Sequence, residues 1–320
     1  PEEKIANKYG YEFRPIEGMG IPRKLNKKFF RSLRTNMRGF KNARKIIKEF
    51  KPDIAIGTGG YVCGPIIFQA ANAHVPTIIH ESNSYPGITS KFLSKKVDAL
   101  CVSYNEAIKH FKNKDKIIVT GNPVRNNFTN EFTDEDLDNL GIKKDRPVVF
   151  SFGGSNGSYA MNEAVKEMAG KLDGSFYLLH QTGRGNFDNF MKDLPENPYL
   201  KTFAYIDNID LFYAVSDLVI ASSGAMSLAE ISAVGKPSIL IPKAYTTENH
   251  QQYNAETYVE NGAALMILER DLNADVLYGN IISIINDEEK LHEMGEASSK
   301  LRQDKASDAI LDLVLRLTNK

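Results

Sequence analysis

The sequence predicts an α/β protein built from two Rossmann-like domains, and three observations carry that expectation. Its 320 residues suffice for two domains of ordinary size. From Pro52 onward, short β-branched runs alternate with helical patterns, which favours parallel βαβ units over a sandwich. After a polar stretch from Asn126 to Arg146 the alternation starts again. A boundary near Val124 follows.

In the first series the expected strands cover 54–57, 77–80, 99–103 and 117–120; in the second, 148–152, 176–180, 218–221, 238–241 and 264–267. The division is a first domain over 1–123, a second over 124–305, and a terminal helix over 306–320. That helix carries Ile310, Leu313, Val314 and Leu317 at helical spacing and is expected to pack back on the first domain. Residues 1–25 hold no full strand followed by a helix, so a first βα unit is expected upstream of Pro1. Two such domains are expected to leave a cleft outside the carboxyl ends of their strands, which directs attention to the loops after each strand.

Composition excludes several classes. No apolar run approaches the roughly 18 residues of a membrane span, and no basic start leads into an apolar signal segment. A soluble, cytoplasmic protein is expected. Cys63 and Cys101 lie far from any second ligand at zinc spacing and are expected to be reduced and structural. Net charge is formally zero, yet residues 23–51 hold twelve Lys or Arg against the single acid Glu49. That segment needs an explanation of its own.

Three loops carry chemistry. Val148-Val149-Phe150-Ser151-Phe152 runs into Gly153-Gly154-Ser155-Asn156-Gly157 and then a helical stretch. Glycines let the backbone approach an anion, and free N–H groups with the helix dipole favour negative charge, so a diphosphate fits. A tight connection would read the same way. Ser222-Ser223-Gly224-Ala225-Met226-Ser227-Leu228-Ala229-Glu230 opens the next helix. A carboxylate there can accept two hydrogen bonds from a vicinal diol such as a ribose, or simply complement the helix dipole. Finally, His250-Gln251-Gln252-Tyr253-Asn254-Ala255 is a dense set of neutral donors and acceptors, suited to sugar hydroxyls or to a solvated helix start.

Taken together with Gly57-Thr58-Gly59-Gly60-Tyr61-Val62-Cys63-Gly64-Pro65, His80-Glu81-Ser82-Asn83-Ser84-Tyr85-Pro86-Gly87 and Thr120-Gly121-Asn122-Pro123-Val124-Arg125, these motifs resemble the MurG family of N-acetylglucosaminyltransferases in order and spacing. The resemblance covers about residues 52–267. It implies the GT-B architecture and an inverting transfer of GlcNAc from UDP-GlcNAc to the 4-hydroxyl of undecaprenyl-pyrophosphoryl-N-acetylmuramyl-pentapeptide, converting lipid I to lipid II in peptidoglycan synthesis. Carried over by position, Ser155 contacts the donor phosphate, Glu230 the ribose hydroxyls, and Gln251 with Asn254 the GlcNAc. Arg125 and the backbone near Ile206 recognise uracil, while Ala225 and Met226 lend main-chain groups to the diphosphate. Asn156 and His250 occupy positions where some members carry Gln.

On the acceptor side, Gly59, Gly60 and Gly64 form a backbone anion cradle, which the resemblance points at the lipid pyrophosphate. His80, Glu81 and Asn83 are expected to line that side, with His80 and Glu81 as candidates for the base. A satisfied core histidine and a capping carboxylate are the alternatives. No metal, cofactor or nucleic acid is implied, because N–H groups and helix N-termini can stabilise departing UDP. The family also carries a glycine-rich loop ending in His after its first strand. This chain has none, so as it stands it is expected to bind donor and to transfer poorly.

The basic segment then acquires a purpose. Leu25, Phe29, Leu33, Met37 and Phe40 form an i, i+4 stripe among Arg23, Lys24, Lys27, Lys28, Arg31, Arg34 and Arg38, as in helices that lie on anionic membranes. Leu25, Phe29 and Phe30 are expected at the membrane, which places the protein peripherally on the cytoplasmic face of the plasma membrane. For Leu33, Met37 and Phe40 a core face is the alternative. Rival functions are a UDP-GlcNAc epimerase of the same fold and a non-catalytic nucleotide-sugar-binding protein.

Overall fold

The computed structural model describes residues 2–20, 26–125 and 128–319, which form two compact units. One comprises Pro1–Ser82, Pro86–Gly121 and Asp308–Lys320; the other comprises Asn83–Tyr85 and Asn122–Ser307.

In the first unit, helices α1 (Glu2–Lys8) and α2 (Lys27–Phe50) precede strand β1 (Ala55–Gly57). Then follow α3 (Gly60–Asn72), β2 (Thr77–Glu81), α4 (Ile88–Leu93), β3 (Ala99–Val102), α5 (Asn105–Ile108) and β4 (Ile117–Val119). The four strands pair in parallel in the order β1-β2-β3-β4. Side chains of a strand alternate between faces. Ile79, Leu100 and Val102 accordingly pack with Ile67 of α3 and Leu93 of α4, while Ile78, Ala99 and Cys101 pack with Leu313. Leu313 belongs to the last helix, α14 (Ala306–Thr318), which joins this sheet through Ile310, Val314 and Leu317 as well. Both cysteines are buried free thiols, and burial pushes Cys101 up to about 11.

The long helix α2 starts at Asn26, whose side chain caps the Phe29 N–H at 3.1 Å. Its buried face is Ser32, Gly39, Ala43 and Ile47, of which the first three are small enough to allow close approach. A Cβ on Gly39 would collide with the Glu17 carbonyl. The expected apolar stripe is therefore not the core face. Leu33 and Met37 are exposed, as is Phe30, and Phe40 turns inward, its ring edge on Phe68 at 5.5 Å. Phe29 is half-buried, and Leu25 lies outside the described residues.

The second unit runs α6 (Asp134–Leu140), β5 (Val148–Phe152), α7 (Tyr159–Ala169), β6 (Tyr177–Gln181), α8 (Phe187–Met191), β7 (Leu200–Phe203), α9 (Ile209–Val215) and β8 (Leu218–Ala221). It continues with α10 (Ala225–Val234), β9 (Ser238–Leu240), α11 (His250–Glu260), β10 (Ala264–Met266), α12 (Ala274–Ile285) and α13 (Glu288–Lys300). Its six parallel strands are ordered β10-β9-β8-β5-β6-β7. Chain order reverses between β5 and β8, the position where sheets of this kind take ligands. Sequence reasoning missed β7. Its Leu-Lys-Thr-Phe is short, sits at the sheet edge and is mostly half-buried, so it lacks the continuous apolar run of a central parallel strand.

Candidate active site

The loops after β5 and β8 stand side by side, because Phe152 pairs with Ala221 at the ends of those strands. After β5, Gly154 (φ +78°) and Gly157 (φ +73°) adopt the left-handed region, and the Gly157 N–H closes a turn on the Gly154 carbonyl at 3.0 Å. A Cβ on Gly157 would collide with the Thr182 carbonyl. Ser158 then caps α7, accepting from the Met161 N–H. Ser155 and Asn156 are left exposed at the rim.

A buried polar network supports this loop from below, and nothing in the sequence pattern singled it out. His180 meets Ser151 Oγ through Nδ1 and Asn162 Oδ1 through Nε2, each at 3.1 Å, and Asn162 donates to the Thr182 carbonyl. Complete burial pushes His180 down to about 3, so it is neutral. Gln181, next along β6, donates to the Gly154 carbonyl and accepts from the Ile206 N–H at 2.8 Å. That N–H is thus committed, and any ligand contact from Ile206 falls to its carbonyl.

After β8, Ser222 and Ser223 are buried and Gly224 leads into α10. The first-turn N–H groups, Ala225 and Met226 among them, have no carbonyl a turn earlier to bond. Met226 is exposed. Glu230 lies in the second turn, half-buried, and accepts from the Tyr213 hydroxyl at 3.1 Å. Burial raises its pKa, opposed by the Tyr213 hydrogen bond and by the charge of Arg125. Arg125 itself is exposed.

The third loop leads from β9 to α11, and Glu248 and Asn249 enter it with positive φ. Ser223 Oγ donates to the Gln251 carbonyl at 2.7 Å, and the Lys243 N–H donates to the Gln251 side-chain oxygen at 2.9 Å. The side-chain NH2 of Gln251 is the end left for a ligand. Lys243 Nζ reaches back to the Gly157 carbonyl at 2.7 Å, joining the third loop to the first. His250 faces the Tyr85 carbonyl through Nδ1 at 3.2 Å.

Asn254 departs from the expectation that it holds a sugar. It is 0% exposed. Its oxygen accepts from the Ser84 N–H and hydroxyl, and its nitrogen donates to Asn83 Oδ1 and the Ser223 carbonyl. Those four bonds use its full capacity. Asn83, expected on the acceptor side, groups with the second unit, where the neighbouring Tyr85 stacks on Tyr253 at 4.8 Å.

In the first unit, Gly59 (φ +94°) and Gly60 (φ +79°) take a backbone that other residues adopt only with strain, and nothing crowds a Cβ built on either. They open α3 with no side-chain cap, so its first N–H groups have no carbonyl a turn earlier to bond. Gly64 sits one turn in, with Thr89 3.6 Å from where its Cβ would be. His80 and Glu81 end β2, both buried. His80 Nε2 meets the Gly121 carbonyl at 2.8 Å, so that nitrogen carries the proton, and burial lowers the ring's pKa. Glu81 accepts from the Gly87 N–H at 3.0 Å, the residue just before α4. Both structural alternatives, a satisfied histidine and a capping carboxylate, therefore have geometry on their side.

Comparison with known proteins bears on the whole chain. It matches the glycosyltransferase family 28 N-terminal domain over residues 1–102 and the glycosyltransferase family 28 C-terminal domain over residues 148–310. A UDP-N-acetylglucosamine--N-acetylmuramyl-(pentapeptide) pyrophosphoryl-undecaprenol N-acetylglucosamine transferase of Finegoldia magna is 46% identical, covering 99% of this chain and 87% of the relative. The protein of that name from Clostridioides difficile is 40% identical over 99% of this chain and 79% of its own length. Among solved structures, MurG of Acinetobacter baumannii superposes with a TM-score of 0.75 at 24% identity, covering 98% of this chain and 87% of that one.

Proposed function

Because the chain belongs to glycosyltransferase family 28 and, within it, to the N-acetylglucosaminyltransferases that act on lipid-linked N-acetylmuramyl-pentapeptide, we propose an assignment of its residues to that transfer. The enzyme moves GlcNAc from UDP-GlcNAc onto lipid I to give lipid II. The observation that carries the assignment is the Glu230 carboxylate, held by Tyr213 in the helix that follows β8, beside the glycine loop after β5.

In this reading Glu230 accepts both ribose hydroxyls, and Arg125 with the Ile206 carbonyl recognises uracil. The N–H groups that open α10 at Ala225 and Met226, with Ser155, receive the diphosphate. They sit where negative charge grows as UDP leaves, which is how a helix N-terminus stabilises a leaving group. The Gln251 amide and His250 meet the GlcNAc, and Asn254 acts behind them by fixing residues 83–84 and Ser223. The α3 N-terminus with Gly59, Gly60 and Gly64 receives the acceptor pyrophosphate. The base is assigned to Glu81; His80, whose Nε2–H is held by the Gly121 carbonyl, keeps only Nδ1 as a candidate proton acceptor. Release of UDP should depend on added lipid acceptor. UDP-GlcNAc consumed at the same rate without acceptor would overturn the assignment.

Membrane contact is proposed through α2. Phe30 (65% exposed), Leu33 and Met37 share one helical face, flanked by the exposed Arg31, Arg34 and Arg38. Phe92 of α4, also exposed, stacks on Phe68 and extends the apolar surface. No helix among the described residues is long and apolar enough to cross a membrane. A peripheral place on the cytoplasmic leaflet fits this surface, each cation near an anionic leaflet contributing about 1 kcal/mol. Phe30→Ser combined with Met37→Ser should reduce co-sedimentation with phosphatidylglycerol vesicles and leave UDP-GlcNAc binding unchanged. Undiminished co-sedimentation would move the contact elsewhere.

A further inference from the structure

Tyr213 is completely buried, although it carries a hydroxyl that must find a partner. Its ring meets Phe150, Phe152 and Phe128 edge-on at 5.7, 6.0 and 5.7 Å, so it stands in an aromatic cage with little freedom to turn. Its backbone is held as firmly. The Tyr213 carbonyl accepts from Ser216 Oγ at 3.0 Å, and Lys236 Nζ caps the end of α9 on the Ala214 and Ser216 carbonyls. The hydroxyl therefore points to one place, Glu230 Oε2, 3.1 Å away.

We propose that Tyr213 is a positioning residue of the donor site: it holds one oxygen of the Glu230 carboxylate and leaves the other for the ribose hydroxyls of the nucleotide sugar. This rests on the reading that Glu230 grips the ribose. The chemistry is consistent on both sides of the bond. Burial and the neighbouring Glu230 raise the Tyr213 pKa well above its ordinary range, so the tyrosine keeps its proton and donates. The groups acting on the pair are Arg125, whose charge favours the Glu230 carboxylate, and Tyr258 of α11, which acts on Tyr213. Without the tyrosine hydroxyl, burial of Glu230 is opposed by Arg125 alone. The acid then protonates at higher pH and loses an accepting oxygen.

The test compares Tyr213→Phe, Glu230→Gln and the double variant in the full chain, reading the Kd of UDP-GlcNAc by calorimetry between about pH 5 and about pH 8. Tyr213→Phe should weaken binding about tenfold at neutral pH, the scale of one hydrogen bond to a charged group. The pH at which binding fails on acidification should move upward, and the phenylalanine should add nothing in the Glu230→Gln background. A donor analogue lacking both ribose hydroxyls should bind the parent and Tyr213→Phe alike. An unmoved acid limb, or an equal loss on top of Glu230→Gln, would reduce Tyr213 to packing and overturn the inference alone. Parental affinity in Glu230→Gln would overturn the ribose reading and this inference with it.

Discussion

Glu230→Ala is expected to weaken UDP-GlcNAc binding by about 10- to 150-fold, the equivalent of about 1.5–3 kcal/mol for hydrogen bonds to a charged acceptor. The diol loses its acceptor, and the Tyr213 hydroxyl loses the carboxylate it donates to inside an aromatic cage. A buried hydroxyl without a partner costs about 1–3 kcal/mol, so the variant should also melt earlier. Calorimetric Kd and the melting temperature separate the two effects. A variant that melts earlier yet binds UDP-GlcNAc as tightly as the parent would make Glu230 a structural acid and empty the donor assignment of α10.

Glu81→Gln is expected to lower kcat by about 10²–10⁴, the usual cost of removing a positioned base, while the KM for UDP-GlcNAc stays put. Glutamine can still accept the Gly87 N–H through its side-chain oxygen, so the start of α4 should survive the change. His80→Gln should cost far less in kcat, since the amide can donate to the Gly121 carbonyl as the imidazole does. Parental kcat in Glu81→Gln would confine Glu81 to capping and send the search for the base to another residue.

The glycine loops of the candidate site were legible because each puts glycine or small residues between a buried strand and a helix start, a pattern that is local in the chain. Gly153 to Gly157 and Ser222 to Glu230 are of this kind, and the structure sets the two side by side at the strand-order reversal. What surrounds them was not legible. The partner of Glu230 comes from a different helix seventeen residues earlier, and that of Asn254 from residues 83–84, some 170 residues away. His180, Ser151 and Asn162 are scattered over two strands and a helix, and an isolated histidine in a strand announces nothing. In α2 the apolar spacing was legible, with membrane and core faces both open for Leu33, Met37 and Phe40, but which of them turn inward was not. Serine, glycine and alanine lie on its buried face, where α2 packs against α3, while Phe30, Leu33 and Met37 are left outside.

The path of the chain through the first unit sets an order of events for a newborn polypeptide. Ile78, Ala99 and Cys101 on one face of its sheet are covered by Leu313, within the last thirteen residues. Synthesis runs from the N-terminus, so the ribosome must translate the entire second unit before that face can be closed. Until then it stays unsealed, and closing so distant a contact is slow by nature. The second unit, nearly all one continuous stretch from Asn122, can reach its native core first. The second unit would then mature ahead of the first, with the interval between them the time of greatest exposure to chaperones and to aggregation.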